Sequence, residues 1–176
     1  MDMKIASQHI VKYGICVCFF AVSQAAAAEG LVFNAAMTTN CMAAVDGTAR
    51  LDCVGASAAA CMSETPGGST TVGMGGCLDA EYRVWDQALN AAYTDLMSVY
   101  QANDAETQAG TWNAPEQVPP LKAMQRAWIT YRDSRCDFER AKWGGGTGGG
   151  PATVQCLMVT TAEQTLLLQD AMDGLQ

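Results

Sequence analysis

The chain has 176 residues, eight cysteines, one histidine and a formal net charge of −8. That length fits one domain with a single hydrophobic core. The acidic balance argues against nucleic acid and anionic membrane surfaces as partners, since both need a basic patch, and it would steer a cationic partner toward the protein.

Residues 1–28 read as a secretory signal. Lys4 and Lys12 charge the front, residues 13–22 are apolar, and the alanines at 25–28 offer a small-residue cleavage site before Glu29. The apolar stretch is shorter than the roughly 20 residues a spanning helix needs. No membrane span is expected after cleavage, and the predicted location is the periplasm or the exterior. Cys16 and Cys18 lie inside the apolar stretch, so no lipid anchor is expected. Cleavage would leave 8 basic and 17 acidic residues, a net charge of −9. Taken alone, that charge does no more than keep an exported protein soluble.

Six cysteines remain beyond the leader, and an even count in an exported chain points to a disulfide framework. Short loop closure favours neighbours: Cys41 with Cys53, Cys61 with Cys77, and Cys136 with Cys156. The last would staple a glycine-rich run by closing a loop of about 20 residues, worth roughly 3 kcal/mol in the chain-entropy model. None of the six has metal-knuckle spacing and there is no C-x-x-C, so zinc and dithiol redox chemistry are not expected. The single histidine, His9, lies in the leader. Its loss removes histidine-based triads, H-E-x-x-H sites and imidazole-ligated metals, and no cofactor is expected. A pair of carboxylates roughly 5–9.5 Å apart remains the minor enzymatic alternative. The chain otherwise reads as a non-enzyme.

Residues 29–76 are rich in Ala, Gly, Ser and Thr. A short helix over 48–62 is predicted from Leu51, Val54, Ala58 and Cys61, and a loop over 65–76. Over 78–103, Trp85, Leu89, Tyr93, Leu96 and Tyr100 recur at helical spacing, with Asp79 and Glu81 expected in the first turn. Residues 103–120, with three prolines, read as a connection. Leu121, Met124, Trp128, Tyr131 and Phe138 mark a second helix over 121–143, entered through Pro119 and Pro120. The run 144–151 then reads as a flexible connector. Val154, Leu157, Met158, Leu166, Leu167, Leu168 and Met172 predict a third helix over 153–175. The expected fold is all-α and disulfide-stabilised: two long antiparallel helices plus a C-terminal helix over 77–176, with 29–76 pinned on by bridges.

The same helices carry a recognisable combination. Cys77 precedes Trp85, Asp86, Leu89, Asn90 and Tyr93. Leu121, Lys122, Gln125, Trp128, Tyr131, Arg132, Asp133 and Cys136 follow, then the glycine run and Cys156. This pattern, over roughly 77–168, resembles the LprI-type lysozyme-inhibitor domain family of small exported bacterial helical proteins. The resemblance implies that the D-x-x-L-N-x-x-Y helix packs on the Q-x-x-W-x-x-Y-R-D helix. It also implies a partner: lysozyme, or another cationic envelope protein. The chain departs from the family in having no arginine at 161–165, and from the lipoprotein prototype in its leader. By physical reading Trp85, Tyr93, Trp128 and Tyr131 are core residues. Asp86, Arg132 and Asp133 are expected to form a charge network between helices, and Asn90 and Gln125 to satisfy backbone groups. Trp112, with Gly144, Gly145, Gly146 and Thr147, marks the expected partner-binding loops. The alternative reading is an envelope structural or assembly factor that inhibits nothing.

Overall fold

A computed structural model describes residues 30–110 and 114–174; the expected leader, including Cys16, Cys18 and His9, lies outside them, as does Trp112. Five α-helices follow in order: α1 (Ala36–Ala44), α2 (Ala56–Glu64), α3 (Thr71–Ala109), α4 (Val118–Ala141) and α5 (Gly149–Asp173). A 3-10 segment, Gly47–Cys53, lies between α1 and α2. The described residues are helical with no strand.

The three bridges Cys41–Cys53, Cys61–Cys77 and Cys136–Cys156 join sequence neighbours. They tie α1 to the 3-10 segment, α2 to α3, and α4 to α5. All six sulfur-bearing residues except Cys41 are buried, so each bridge is also part of the packing.

Several expected boundaries move. The helix predicted over 48–62 divides at Gly55, whose φ of +95° suits glycine and ends the 3-10 segment before α2 begins. Half of the loop predicted over 65–76 is helix, and α3 crosses the boundary expected at residue 76. Thr70 starts it, its hydroxyl accepting from the Gly73 amide at 3.1 Å. The glycines at 73, 75 and 76 stay helical because the Cys61–Cys77 bridge and the neighbouring chain hold this turn, overriding their low propensity. Asp79 and Glu81 therefore fall in the third turn of α3, away from the positive end of its dipole. Asp79 pairs with Arg83 at 2.8 Å. α4 begins three residues earlier than predicted, with both prolines in its first turn, where a missing N–H leaves no hydrogen bond unmade. The glycine run is a chain of consecutive turns whose last two glycines before Pro151 already belong to α5.

α5 is the central element. It packs along α3 and, on its other side, along α4, and these two touch each other much less. The packing implied between the two motif helices is thus mediated largely by α5. Its sequence explains the position: between Gly149 and Ala162 it carries no charged residue, so both flanks tolerate burial. One apolar cluster joins Ala58 of α2 to Leu78 and Trp85 of α3 and Met158, Ala162 and Leu166 of α5. A second joins Leu89, Ala92 and Leu96 to Leu121 and Leu168.

Glu81 sits on the buried stripe of α3 and is fully enclosed. Its Oε1 accepts from the Thr38 hydroxyl at 2.9 Å, the Gly55 amide at 2.7 Å and the Trp85 indole at 3.1 Å, and its Oε2 from the Ala58 amide at 2.7 Å. Thr38 and Ser57 exchange reciprocal bonds, each backbone amide donating 3.0 Å to the other's hydroxyl. Glu81 and Thr38 together satisfy the open end of α2, whose first amides have no partner within the helix. Replacing Glu81 with Ala would strand four buried donors at about 1–3 kcal/mol each, partly relieved by water. The Glu81→Ala variant is expected to lose at least about 3 kcal/mol, read as a thermal midpoint lowered by roughly 6–12 °C. A midpoint within about 2 °C of the parent would contradict this role.

Candidate interaction surface

Four of the motif residues pack into or against the core. Trp85 and Leu89 are buried, and Trp85 is tied to Glu81. Tyr93 and Trp128 are half-buried against the second cluster. Tyr131, in contrast to the core position expected of it, is exposed, because α4 turns this flank away from α5.

The expected charge network does not bridge helices through ion pairs. Arg132 donates from Nε and Nη2 to Oδ1 of Asp133, its neighbour on α4, at 2.9 and 2.8 Å, and its guanidinium lies 5.0 Å from the Trp128 ring centre. Asp86 instead accepts from Asn90 on its own helix, at 3.3 Å. Tyr82, partly buried against the first cluster, lies within the electrostatic reach of these groups. Burial raises its phenol above the ordinary value; Arg132 opposes that, and Asp86, Asp133 and Asp79 reinforce it. Asn90 does serve a backbone group, donating 2.8 Å to the Asp86 carbonyl. Gln125 instead accepts at 3.0 Å from the Gln164 side chain of α5.

Of the expected partner loops, the first is shorter than predicted. Residues 103–109 are helical, and only 110–117 connect α3 to α4. Asp104 governs this turn: its two oxygens accept from the Gln117 and Val118 amides at 2.7 and 3.0 Å, capping α4 from a neighbouring helix. Asn103 with Gln117, at 2.9 Å, and Gln108 with Glu116, at 3.1 Å, fasten the same turn. Beside it opens a groove of about 600 Å³ lined by Leu96, Tyr100, Pro115, Pro120, Met124 and Leu167 among others, with Glu116 at its edge. In the second loop Gly144, Gly145, Gly146 and Thr147 are all exposed, and Gly144 takes a left-handed φ of +56°.

Charge is segregated over these elements. Lys122, Arg126, Arg132, Arg135, Arg140 and Lys142, six of the eight basic residues beyond position 28, lie on α4 or at its C-cap. The acidic surface is therefore the remainder, and at the α3–α4 turn Glu106 and Glu116 are exposed. The sequence contained this asymmetry, which a net charge conceals. Among the described residues no cluster of His, Cys, Asp and Glu could hold a metal ion. Glu81, the fully buried carboxylate, has both oxygens engaged by structural donors and none facing solvent.

The family model described as lysozyme inhibitor LprI matches residues 61–168, more than half of the chain. An uncharacterised protein of Rhizobium meliloti (strain 1021) is 32% identical over 98 residues, covering 56% of this chain and 70% of the relative. An uncharacterised 17.7 kDa protein from the puhA 5′ region of Rhodobacter capsulatus is 29% identical over 139 residues, covering 78% and 85%. No solved structure matches. The match begins at Cys61 and ends at Leu168, spanning two of the three bridges and leaving α1 and the 3-10 segment outside.

The Asp104 cap leads to a measurable consequence. Asp104→Ala removes both acceptors from the start of α4 and is expected to cost about 1–2 kcal/mol in urea unfolding. An unchanged midpoint would mean the turn is held by other contacts.

Proposed function

The chain belongs to the lysozyme inhibitor LprI family, and from that premise we propose that it is an exported, non-catalytic protein that binds a cationic partner, lysozyme foremost, through the acidic end of its bundle. The family match carries the reading. Three disulfides and the absence, among the described residues, of a helix apolar enough to cross a membrane are consistent with export.

The surface best suited to the task is the α3–α4 turn. Asp104 and the paired amides fix the start of α4 beside the end of α3, so these residues lose little ordering entropy on capture. Glu106 and Glu116 supply charge opposite to that of a basic lysozyme, and the adjoining apolar groove can receive a side chain once water is displaced. The basic flank of α4 would repel such a partner, which sets the orientation of approach. Trp112 lies within this connection and is the natural anchor.

Calorimetric titration of a basic lysozyme with the oxidised protein, alongside hydrolysis of a small soluble substrate, tests this reading. The expected result is near-stoichiometric inhibition that weakens with salt. The double change Glu106→Lys and Glu116→Lys should weaken binding at least about ten-fold. The equally charged control Asp46→Lys with Glu64→Lys, on exposed positions of the N-terminal third, should change it less than about three-fold. Equal losses in the two double variants would place the contact elsewhere, and no binding by the parent would favour a structural role in the envelope.

A further inference from the structure

A second concavity, of about 680 Å³, opens between α4 and α5 at the opposite end of α4 from the acidic turn. Its size falls in the range of about 300–1,000 Å³ that holds small ligands. Its walls combine one aromatic surface, Trp143, with four polar side chains, Arg135, Glu139, Lys142 and Gln155.

The indole of Trp143 is 53% exposed yet firmly seated. Gly148 lies against its six-membered ring so closely that a Cβ there would come within 2.3 Å, and Gly149 borders its Cβ. Gly148 in particular serves this tryptophan, since only a residue without a side chain lets the chain pass beneath the ring there. Leaving a large apolar ring half in water, and building the connection around it, gains nothing for the core.

Three of the four polar side chains are paired. Arg135 pairs with Glu163 at 3.0 Å, and Lys142 pairs with Glu139 while its ammonium lies 5.7 Å from the exposed Phe138 ring. Each cation at the groove has a carboxylate beside it, so the groove holds little net charge for a phosphate or a carboxylated chain. What it offers is a flat apolar platform rimmed by donors and acceptors. That matches a pyranose ring, which is apolar on its C–H face and polar around its edge.

We propose that the Trp143 groove is a binding site for an uncharged saccharide, a segment of glycan chain whose ring stacks on the indole while Arg135, Glu139 and Gln155 address its hydroxyl and amide groups. The Cys136–Cys156 bridge supports the groove from beneath, since Cys156 lines it. The site lies apart from the acidic turn and does not depend on lysozyme binding.

The test is calorimetric titration of the oxidised protein, without lysozyme, with a soluble tetramer of β-1,4-linked N-acetylglucosamine and, in parallel, a β-1,4-linked glucose tetramer. Saturable binding of either is expected, weakened at least about ten-fold by Trp143→Ala. Gly148→Ala, which displaces the indole without removing it, should weaken binding likewise. Gly145→Ala, where a Cβ meets nothing within 4 Å, should leave it unchanged. Thermal midpoints report that each variant is folded. Absence of saturable binding up to about 10 mM sugar, or undiminished binding by folded Trp143→Ala, would overturn the proposal.

Discussion

The enclosed carboxylate of Glu81 is the constraint around which the rest is arranged. Four donors from three separate pieces of chain converge on it: Thr38 of α1, Gly55 and Ala58 at the start of α2, and Trp85 on its own helix. Enclosing a charge costs several kcal/mol even when it is well paired, so the arrangement does not add much net stability over a purely apolar contact. What it provides is register. A weakly apolar N-terminal third, made largely of alanine and small polar residues, could slide along α3 if packing alone held it. A carboxylate that must meet four particular donors admits one position.

Disulfides and packing divide the remaining work. The bridges act on local neighbours and reduce the freedom of the unfolded chain, while α5 closes the domain by filling the space between α3 and α4. This explains why the motif aromatics sit where they do. Trp85 belongs to the cluster shared with α2 and α5, and Trp128 packs against the cluster that follows it along α3 and α5. Part of the family pattern thus lies in the core, while Tyr131 and Asp133 of the same pattern face solvent.

The two candidate surfaces differ in chemistry. The α3–α4 turn is acidic with an apolar groove beside it, whereas the far end of α4 presents an aromatic platform among neutralised ion pairs. An acidic turn is suited to a basic protein, and a paired, aromatic groove to an uncharged polyhydroxylated chain. The two surfaces lie at opposite ends of α4.

The amino-acid sequence determined the helical class and the three long helices and favoured the pairing of sequence-adjacent cysteines that the structure shows, because periodicity and short loop closure are local properties. It also carried the family pattern over residues 77–168. Glu81 was legible in part: it falls on the stripe of Leu78, Trp85 and Leu89, an unusual place for a carboxylate, yet three of its four donors lie 23 to 43 residues away. The entry of α3 at Thr71, the capping of α4 by Asp104 and the exposure of Tyr131 were settled only by the folded chain. Glycine propensity was overridden by a bridge, a helix end was satisfied from another helix, and an aromatic at core spacing was turned outward by the placement of α5. Each of these depends on which surfaces meet in space, and a one-dimensional pattern of apolar positions does not specify that.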